Sequence, residues 1–302
     1  MEVWIIVNTT EMPASVSWLD RLRTLPQYLL PQHLLTAWMH AVTRSGWAPL
    51  KNLLINGFIR LYRVDMSIAV QPDYRRYANF NEFFTRELAS DARPVSGDPG
   101  TMACPVDGFV SQAGLIDGSR IFQAKGHTYS LRDLLADDAG LADLFTRGSF
   151  ATLYLSPRDY HRIHMPVAGT LKQTIYVPGS LFSVNPVTTR SVPRLFARNE
   201  RVISILGTEV GCLAMILVGA IFVGSMQTIA EGLITPAGTR EIRRWDYADS
   251  GNPLSLDKGQ EFGRFNMGST VILLFQKGRI DWLPGLEPGN KISMGQAIAR
   301  RR

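Results

Sequence analysis

Residues 202–223 read VISILGTEVGCLAMILVGAIFV and contain two apolar runs, 202–206 and 212–223, on either side of a polar break. Both runs are short and rich in β-branched and large aliphatic residues, which favour strands. The break holds Gly207, Thr208, Glu209 and Gly211, a composition typical of a turn. The segment therefore predicts two buried β-strands joined by a turn.

The same alternation of short apolar runs and turn residues extends through the chain from about residue 100 onward. Further strand-like runs lie at 108–113, 150–155, 171–177 and 269–275. Turn signals separate the runs, namely Pro178-Gly179, Pro236-Ala237-Gly238 and Gly251-Asn252-Pro253. Ser130 is a candidate N-cap for a helix, because Asp133 and two leucines follow it. The pattern predicts an α+β fold with a mostly antiparallel β body.

The first eighty or so residues have a helical pattern instead. One helix is expected from Pro31 towards Gly46, with a shared face formed by Leu34, Leu35, Trp38 and Val42. A second is expected from Pro49, with three- and four-residue spacing of Leu50, Leu53, Leu54, Phe58 and Leu61. A third, shorter helix is expected over residues 81–88. Helices should therefore lead into the β body.

These leading helices carry positive charge without compensating acid. Residues 21–63 contain no Asp or Glu, and their basic residues are Arg21, Arg23, Arg44, Lys51, Arg60 and Arg63. Basic amphipathic helices with tryptophans nearby suit the headgroup layer of a membrane. The apolar stripes could equally pack on the protein's own core, and the residues leave both interpretations open. We expect residues 1–90 to form a helical, membrane-associating region and residues 91–302 a β-rich domain.

The composition excludes several classes of protein. Of 302 residues, 45% are hydrophobic and 19% charged, a balance found neither in disordered chains nor in integral membrane proteins. No apolar run reaches the roughly 18–20 residues of a spanning helix. The apolar residues 1–7 lack the basic flank of a signal peptide. Cys104 and Cys212 are too few for a disulfide framework. The net charge of +6 fits nucleic acid, an anionic membrane or an acidic substrate without choosing among them.

Four short clusters carry the candidate chemistry. They are Pro105-Val106-Asp107-Gly108, Tyr160-His161-Arg162-Ile163-His164-Met165-Pro166, Phe182-Ser183-Val184-Asn185-Pro186 and Met267-Gly268-Ser269-Thr270. Each has a simple structural explanation when taken alone: Asp-Gly is usually a turn, and two histidines supply too few ligands for a metal site. The sequence has no Walker loop, Rossmann fingerprint, HExxH or nucleophile elbow. No metal is expected.

In this order and at these separations, the four clusters resemble the phosphatidylserine decarboxylase family, most closely its membrane-associated bacterial form. Other stretches that are similar to family segments are 80–86, 124–130, 155–162, 195–201, 217–220 and 258–265. The family more usually has Leu where Met267 stands, a change that conserves volume. Residues 1–12 have no clear match in the family.

The resemblance implies a proenzyme that cuts itself between Gly268 and Ser269. Ser269 would become a pyruvoyl group, the only cofactor, and would form the Schiff base with the substrate amine. A serine hydroxyl needs a base to become a nucleophile. We expect His164 to be that base, with Asp107 orienting it as in a Ser-His-Asp triad. His161 is the candidate for the decarboxylation step as proton donor, and Ser183 for binding the substrate headgroup.

The implied substrate, phosphatidylserine, also gives the basic leading helices a purpose. They would hold the protein as a peripheral protein on the cytoplasmic side of the cell membrane, against an anionic surface. The family further implies a homodimer, in which each protomer consists of its own two chains after cleavage. A nucleic-acid partner is not expected, because the chain has no basic stripe interleaved with aromatic residues in a known motif.

Two other functions remain open from the residues alone. A conventional serine hydrolase would use Ser269, His164 and Asp107 as a lasting triad and keep an intact chain. The Gly-Ser-Thr sequence that enters an apolar strand, without a nucleophile elbow, counts against it. A non-catalytic membrane-surface binding module would also stay uncut, although all the residues that the chemistry needs are present.

Overall fold

The structure, a computed structural model, describes residue 18 and residues 24–124, 127–221, 225–236, 239–247, 253–266 and 270–302. Helical segments come first. They are α1 (Pro26–Leu29), α2 (Gln32–Thr43), α3 (Ala48–Tyr62), a 3₁₀ turn (Tyr74–Arg76) and α4 (Phe80–Phe84). The two long predicted helices are confirmed as α2 and α3. Each begins beside a proline, which suits a first helical turn.

The third predicted helix is shorter than expected, because α4 ends at Phe84 and not near residue 88. The chain after it runs extended beside residues 68–70. There the Val70 N–H donates to the Glu87 carbonyl and the Ala89 N–H to the Ile68 carbonyl, both at 2.9 Å. These long-range backbone bonds replace the helical ones that the local sequence would allow.

The two long leading helices expose apolar side chains and bury polar ones. In α2 the buried residues are Thr36 and Thr43, while Leu34 and Trp38 are 69% and 60% exposed. In α3, Leu53 and Leu61 are 71% and 74% exposed. The expected apolar stripes therefore do not pack wholly on the protein's own core, and large exposed apolar side chains grouped in this way mark an interaction surface.

α3 is held to the body by its opposite face. Ile55 is fully buried in an aromatic cluster with Phe83 and Phe84, residues of α4. Lys51 departs from the expected membrane-facing basic set, since its Nζ donates to the carbonyls of Arg75 and Tyr77 at 2.7 and 2.6 Å. The buried ammonium is thus paired with backbone acceptors, as burial requires.

The body consists of short strands with four short helices between them. The strands are β1 (Thr101–Ala103), β2 (Gly108–Leu115), β3 (Arg120–Ala124), β4 (His127–Ser130), β5 (Ser149–Tyr154), β6 (Arg162–His164), β7 (Gly169–Val177), β8 (Arg201–Thr208), β9 (Gly211–Val218), β10 (Met226–Thr228), β11 (Gly232–Leu233), β12 (Arg243–Asp246), β13 (Ser255–Leu256), β14 (Glu261–Phe265), β15 (Thr270–Phe275), β16 (Ile280–Trp282), β17 (Lys291–Ile292) and β18 (Ala297–Arg301). The helices are α5 (Leu131–Leu134), α6 (Ala139–Phe145), α7 (Pro186–Ser191) and α8 (Leu195–Arg198).

Within the described ranges the largest sheet has nine strands in the order β12-β7-β8-β9-β15-β5-β2-β17, with β13 also paired to β7. Its strand pairs are antiparallel. The predicted pair of strands is confirmed as the β8–β9 hairpin, in which Arg201 lies opposite Val218 and Thr208 opposite Gly211. The second apolar run leaves the sheet at Val218, and its residues 222–223 lie outside the described residues.

Both faces of this sheet are covered. Along β15, Val271, Leu273 and Phe275 enter one core cluster, whereas Ile272 and Leu274 enter the cluster on the other face. The second cluster includes residues of the short helices, such as Leu134 and Phe196. Burial on both faces explains why the central strands are continuous apolar runs and do not alternate with polar residues.

Smaller sheets complete the body: β1-β18-β16, β11-β10-β14-β6 and β3-β4. Ser130 caps α5 as predicted, because its side chain accepts a hydrogen bond from the Asp133 N–H. The predicted α+β class, with helices ahead of a mostly antiparallel body, is confirmed. In the part of the chain that the structure describes, no helix has the length and hydropathy needed to cross a bilayer.

Candidate active site

The two histidines of the second cluster lie at the short strand β6. His164 ends the strand, and His161 directly precedes it. On one side β6 pairs with β14, and the Phe265 N–H donates to the His161 carbonyl at 3.0 Å. On the other side the His164 N–H donates to the Pro105 carbonyl at 2.9 Å. The strand thus joins the segment that leads to Asp107 with the strand that leads to the proposed cleavage bond.

His164 is held as a neutral base. Its Nδ1 lies 2.8 Å from the Gly259 carbonyl oxygen, and a carbonyl can only accept, so Nδ1 carries the proton. Nε2 then has a free lone pair and accepts from the Tyr160 hydroxyl at 3.0 Å. Burial lowers the pKa of His164 below its ordinary value of 6.5, against an opposing effect of the Gly259 hydrogen bond. Near neutral pH the imidazole is therefore uncharged.

His161 has the same tautomer and is more deeply buried than His164. It is fully buried, and its Nδ1 donates to the Asp159 carbonyl at 2.8 Å. Its Nε2 is buried and has no hydrogen-bond partner among the residues that the structure describes, an uncommon state for a buried polar atom. The ring lies 4.1 Å from the Phe84 ring, and burial lowers the pKa of His161 to about 3. An unpaired basic nitrogen in an apolar setting suits a group that waits for a reacting partner.

Asp107 is buried but fully paired. Arg93 donates to it through Nε, at 2.8 Å to Oδ1 and 2.9 Å to Oδ2, and through a second guanidinium nitrogen. The Met294 N–H donates to Oδ1 at 2.8 Å. The carboxylate is thus held as an anion by a bidentate guanidinium, the strongest neutralising partner among side chains.

The expected orienting contact between Asp107 and His164 is not among the described hydrogen bonds, which pair the two residues with other groups. The Gly259 carbonyl orients His164, while Arg93 and Met294 occupy the Asp107 oxygens. Asp107 acts on His164 only through space, where its charge raises the pKa of the imidazole. A part for Asp107 in self-cleavage stays a prediction.

Two glycines allow the chain to form this site. Gly108 follows Asp107, and a Cβ there would lie 2.1 Å from the Tyr154 carbonyl oxygen, so no other residue lets β2 approach β5 so closely. Gly259 has φ of +81°, a left-handed conformation that favours glycine, and it presents its carbonyl to His164. Both glycines therefore serve the placement of a neighbouring acid or base.

Met267, Gly268 and Ser269 lie outside the described residues. The described residues on either side of them are Asn266 and Thr270. Asn266 is buried and hydrogen-bonded to Ser225 and Asn81, directly after β14. Thr270 opens β15 between Tyr154 and Val218. The predicted cleavage bond thus belongs to the crossing from the β6–β14 sheet into the centre of the nine-stranded sheet.

Ser183 lies in the loop before α7, close to the leading helices. Its N–H donates to Oε1 of Gln27 at 2.8 Å, and its hydroxyl accepts from the Asn185 side chain at 2.9 Å. Asn185 is in turn the N-cap of α7. No described hydrogen bond joins Ser183 to either histidine, so headgroup binding by Ser183 stays a prediction.

Sequence reasoning missed several residues of the site. Tyr160 and Phe84 contact the two histidines, Arg93 holds Asp107, and the Gly259 carbonyl orients His164. Tyr160 stood within a quoted cluster, whereas Arg93 and Gly259 are separated from their partners by 14 and 95 positions. Only the fold could place them. Among the described residues no group of three His, Cys, Asp or Glu side chains is arranged to hold a metal ion.

The arrangement has the make-up of an acid–base centre: two imidazoles whose Nε2 atoms are unprotonated, beside the strand that precedes the Gly-Ser bond. Comparison with known proteins identifies the family. A family model described as phosphatidylserine decarboxylase matches residues 80–300, and one described as PSD matches residues 22–63. The chain belongs to the phosphatidylserine decarboxylase family.

Individual relatives match over almost their whole length. The chain is 52% identical, over 281 residues, to a protein of Bordetella pertussis named phosphatidylserine decarboxylase proenzyme. The aligned residues make up 93% of this chain and 94% of the relative. Proteins of the same name from Azotobacter vinelandii and Methylococcus capsulatus are 51% and 50% identical. These matches cover 93% and 91% of this chain and 98% and 95% of the two relatives.

Proposed function

We propose that this chain is a proenzyme that cleaves itself between Gly268 and Ser269 and then decarboxylates phosphatidylserine to phosphatidylethanolamine and CO2. Family membership supports the reaction, and the names of its relatives include the word proenzyme. The observation that carries the proposal is a pair of histidines with unprotonated Nε2 atoms, His161 buried and His164 partly buried, in a segment that is hydrogen-bonded to β14, the strand that precedes the cleavage bond.

Self-cleavage needs no outside reagent other than water. The Ser269 hydroxyl gives its proton to a base and attacks the Gly268 carbonyl carbon, so that an ester replaces the amide and the Ser269 amine is freed. Loss of the Cα proton and cleavage of the Cβ–O bond release the Gly268 carboxylate and leave a dehydroalanine. Hydrolysis then releases ammonia and leaves a pyruvoyl group. His164 is the proposed base, because its Nε2 is unprotonated and can accept the hydroxyl proton.

The pyruvoyl group supplies an electron sink for the carbanion that decarboxylation leaves. The residues present fit such a group, since His161 accepts from the Phe265 N–H of β14 through its carbonyl and its Nε2 has no partner among the described residues. In the proposed reaction His161 is the proton donor at the carbon that loses CO2, and its Nε2 must first take up the proton that it delivers there. Its burial excludes water, which would compete for that step. Phe84 packs against the ring at a tilt of 43°.

Replacing His161 by Asn should separate decarboxylation from self-cleavage. Asparagine retains a donor for the Asp159 carbonyl but lacks Nε2, so cleavage should proceed while decarboxylation falls by about 10²- to 10⁴-fold. The measurement is CO2 release from phosphatidylserine by fully cleaved protein, as judged by intact mass. The exposed His33, whose Nε2 bonds the Gly179 carbonyl, provides the control His33→Asn. Full decarboxylase activity of the His161 variant would remove this role.

The reaction itself is tested by incubating the purified protein with phosphatidylserine and quantifying CO2 and phosphatidylethanolamine. Equal amounts of the two products should form, and a Ser269→Ala variant should form neither. The alternatives of a serine hydrolase and of a non-catalytic binding module both require an intact chain and no CO2. Fatty-acid release by an uncut chain would favour the hydrolase instead.

We further propose that the protein works as a peripheral protein on the cytoplasmic side of the cell membrane, with α2 and α3 at the lipid surface. The exposed Leu34, Trp38, Leu53 and Leu61 support this placement. Arg60 and Arg63 are exposed on α3 and would meet anionic headgroups. The division into a membrane-associating region of residues 1–90 and a catalytic domain of residues 91–302 follows from it, and the homodimer remains a prediction from the family.

Replacing the four exposed apolar residues by Ser should lower binding to vesicles of phosphatidylglycerol and phosphatidylcholine by about tenfold or more. Each of these side chains loses the apolar area that it would bury in lipid. Vesicle flotation measures the bound fraction. Leu115, 74% exposed on β2, provides the control Leu115→Ser. If the fourfold variant binds as well as the control, α2 and α3 are not the membrane contact.

A further inference from the structure

A charged cavity of about 210 Å³ lies beside Asp107 and is also lined by Tyr160, which contacts His164. Five cationic side chains line it, from Arg63, Arg86, Arg93, Arg158 and Lys291. Three carboxylates, from Asp65, Asp107 and Asp159, line it as well. The lining therefore has an excess of two positive charges, and a cavity of this volume has room for several water molecules or one small anion.

The carboxylates already have partners of their own. Asp107 is taken by Arg93 and the Met294 N–H. Asp159 accepts from the N–H and the hydroxyl of Ser156 at 2.7 and 2.6 Å. Asp65 accepts from the N–H and the hydroxyl of Ser67 at 2.9 and 2.6 Å. Consequently, the cations other than Arg93 are not directly neutralised by this set.

Arg86 is the buried cation at this cavity. Its residue is only 4% exposed, yet no described carboxylate lies within ion-pair distance of its guanidinium. One terminal nitrogen donates to the Arg158 carbonyl at 3.3 Å, and among the described residues the buried Nε has no hydrogen-bond partner. Asp65, Asp107 and Asp159 attract the guanidinium only through space, and burial lowers the pKa of Arg86 in spite of them. A buried guanidinium without a directly bonded anion is costly to desolvate.

The exposed rim completes the cationic set. Arg63, Arg158 and Lys291 are all exposed and line the same cavity. Arg63 ends α3 in a left-handed conformation, and α3 also carries the exposed Leu53 and Leu61. A buried guanidinium together with three exposed cations around one cavity is an arrangement that suits phosphate oxygens, which accept several charge-assisted hydrogen bonds.

We propose that this cavity, which borders the candidate active site through Asp107 and Tyr160, binds a phosphate group with Arg86 as its buried anchor. The shared chemistry is that of a phosphate monoester or phosphodiester. The group could come from a free phosphate in solution or from the headgroup of an anionic lipid that the end of α3 reaches. A bound anion would supply Arg86 with the negative partner that it lacks.

The first test titrates inorganic phosphate into the purified full-length protein by isothermal calorimetry. Because Arg86 is buried, its replacement could unfold the chain, so the informative variant is the surface pair Arg158→Ala with Lys291→Ala. This pair keeps the Arg158 backbone carbonyl that Arg86 contacts. We expect phosphate affinity to fall about tenfold or more, since charge-assisted hydrogen bonds are lost. The control pair Arg120→Ala with Lys277→Ala removes the same charge from exposed positions elsewhere.

The second test distinguishes the two sources of the group. Flotation compares phosphatidylcholine vesicles with and without phosphatidylglycerol, neither of which contains the decarboxylase substrate. If a lipid supplies the phosphodiester, the gain from phosphatidylglycerol is smaller in the Arg158/Lys291 pair than in the control, and inorganic phosphate competes at matched ionic strength. If only free phosphate binds, the gain is equal in both pairs while the calorimetric difference persists.

The inference is overturned if the unaltered protein binds phosphate in neither test, or if the two variant pairs behave alike in both. Thermal unfolding of both pairs verifies that each is folded. The outcome does not depend on catalysis, because neither measurement uses turnover. A protein that cleaves itself and decarboxylates normally could therefore still fail both tests.

Discussion

Replacing Ser269 by Ala should leave the purified protein as one uncut chain, whereas the unaltered protein separates into residues 1–268 and 269–302. The alanine side chain has no oxygen, so neither the ester nor the later elimination can form. The effect is complete and not partial, because no other atom of residue 269 can replace the hydroxyl. Intact-mass spectrometry measures it directly.

The mass of the C-terminal piece carries further information. A pyruvoyl group at its start makes it lighter by one ammonia than the same piece with a free serine. Ser255→Ala, which removes a surface hydroxyl that bonds Thr170, should be cleaved like the unaltered protein. A cut Ser269→Ala chain, or an unaltered protein that stays whole while folded, would contradict self-cleavage at this bond.

Replacing His164 by Asn should slow self-cleavage by about 10²- to 10⁴-fold, which is the factor that a general base usually contributes to a reaction rate. Asparagine retains a donor near the position of Nδ1, so the bond to the Gly259 carbonyl can persist, but the basic Nε2 is gone. The uncut chain should therefore accumulate as folded protein. Its fraction over time, measured by intact mass after synthesis, reports the rate.

A matched variant tests whether the effect comes from His164 itself or from a change in its surroundings. Tyr160→Phe removes the hydroxyl that donates to Nε2 and leaves the base in place, so cleavage should continue. His164→Asn and Tyr160→Phe should both keep the thermal unfolding profile of a folded chain. Normal cleavage in the folded His164 variant would show that another group takes the serine proton.

The pH dependence of self-cleavage should follow the pKa of His164, which burial lowers below 6.5. The imidazole must be neutral to act as a base, and a lowered pKa keeps it neutral to lower pH. The pH at which the cleavage rate falls to half should therefore lie below 6.5. Newly translated precursor, transferred to buffers of different pH, gives the rates. A rate that is already halved at pH 6.5 would mean that the base titrates like an unperturbed histidine.

The elements that the sequence predicted well are those governed by neighbouring residues. The three- and four-residue spacing in α2 and α3 and the Ser130 cap depend on residues within one or two turns of each other. The β8–β9 hairpin likewise joins adjacent runs through a short turn. Such patterns state which element forms, but they leave open which face meets the core. That is why the apolar stripes of α2 and α3 were compatible with two interpretations.

The local sequence determined the class of fold, the leading helices, the main strands and the residue types that could carry out acid–base chemistry. The tertiary structure decided their pairing: Asp107 with Arg93 and not with His164, His164 with the Gly259 carbonyl, and Lys51 inward against Tyr77. It also decided that Arg86 is buried with no ion-pair partner among the described residues. The physical reason is that secondary structure depends on short-range sterics and periodicity. Buried polar groups must instead find partners among all the groups that packing brings near them, wherever those groups stand in the chain.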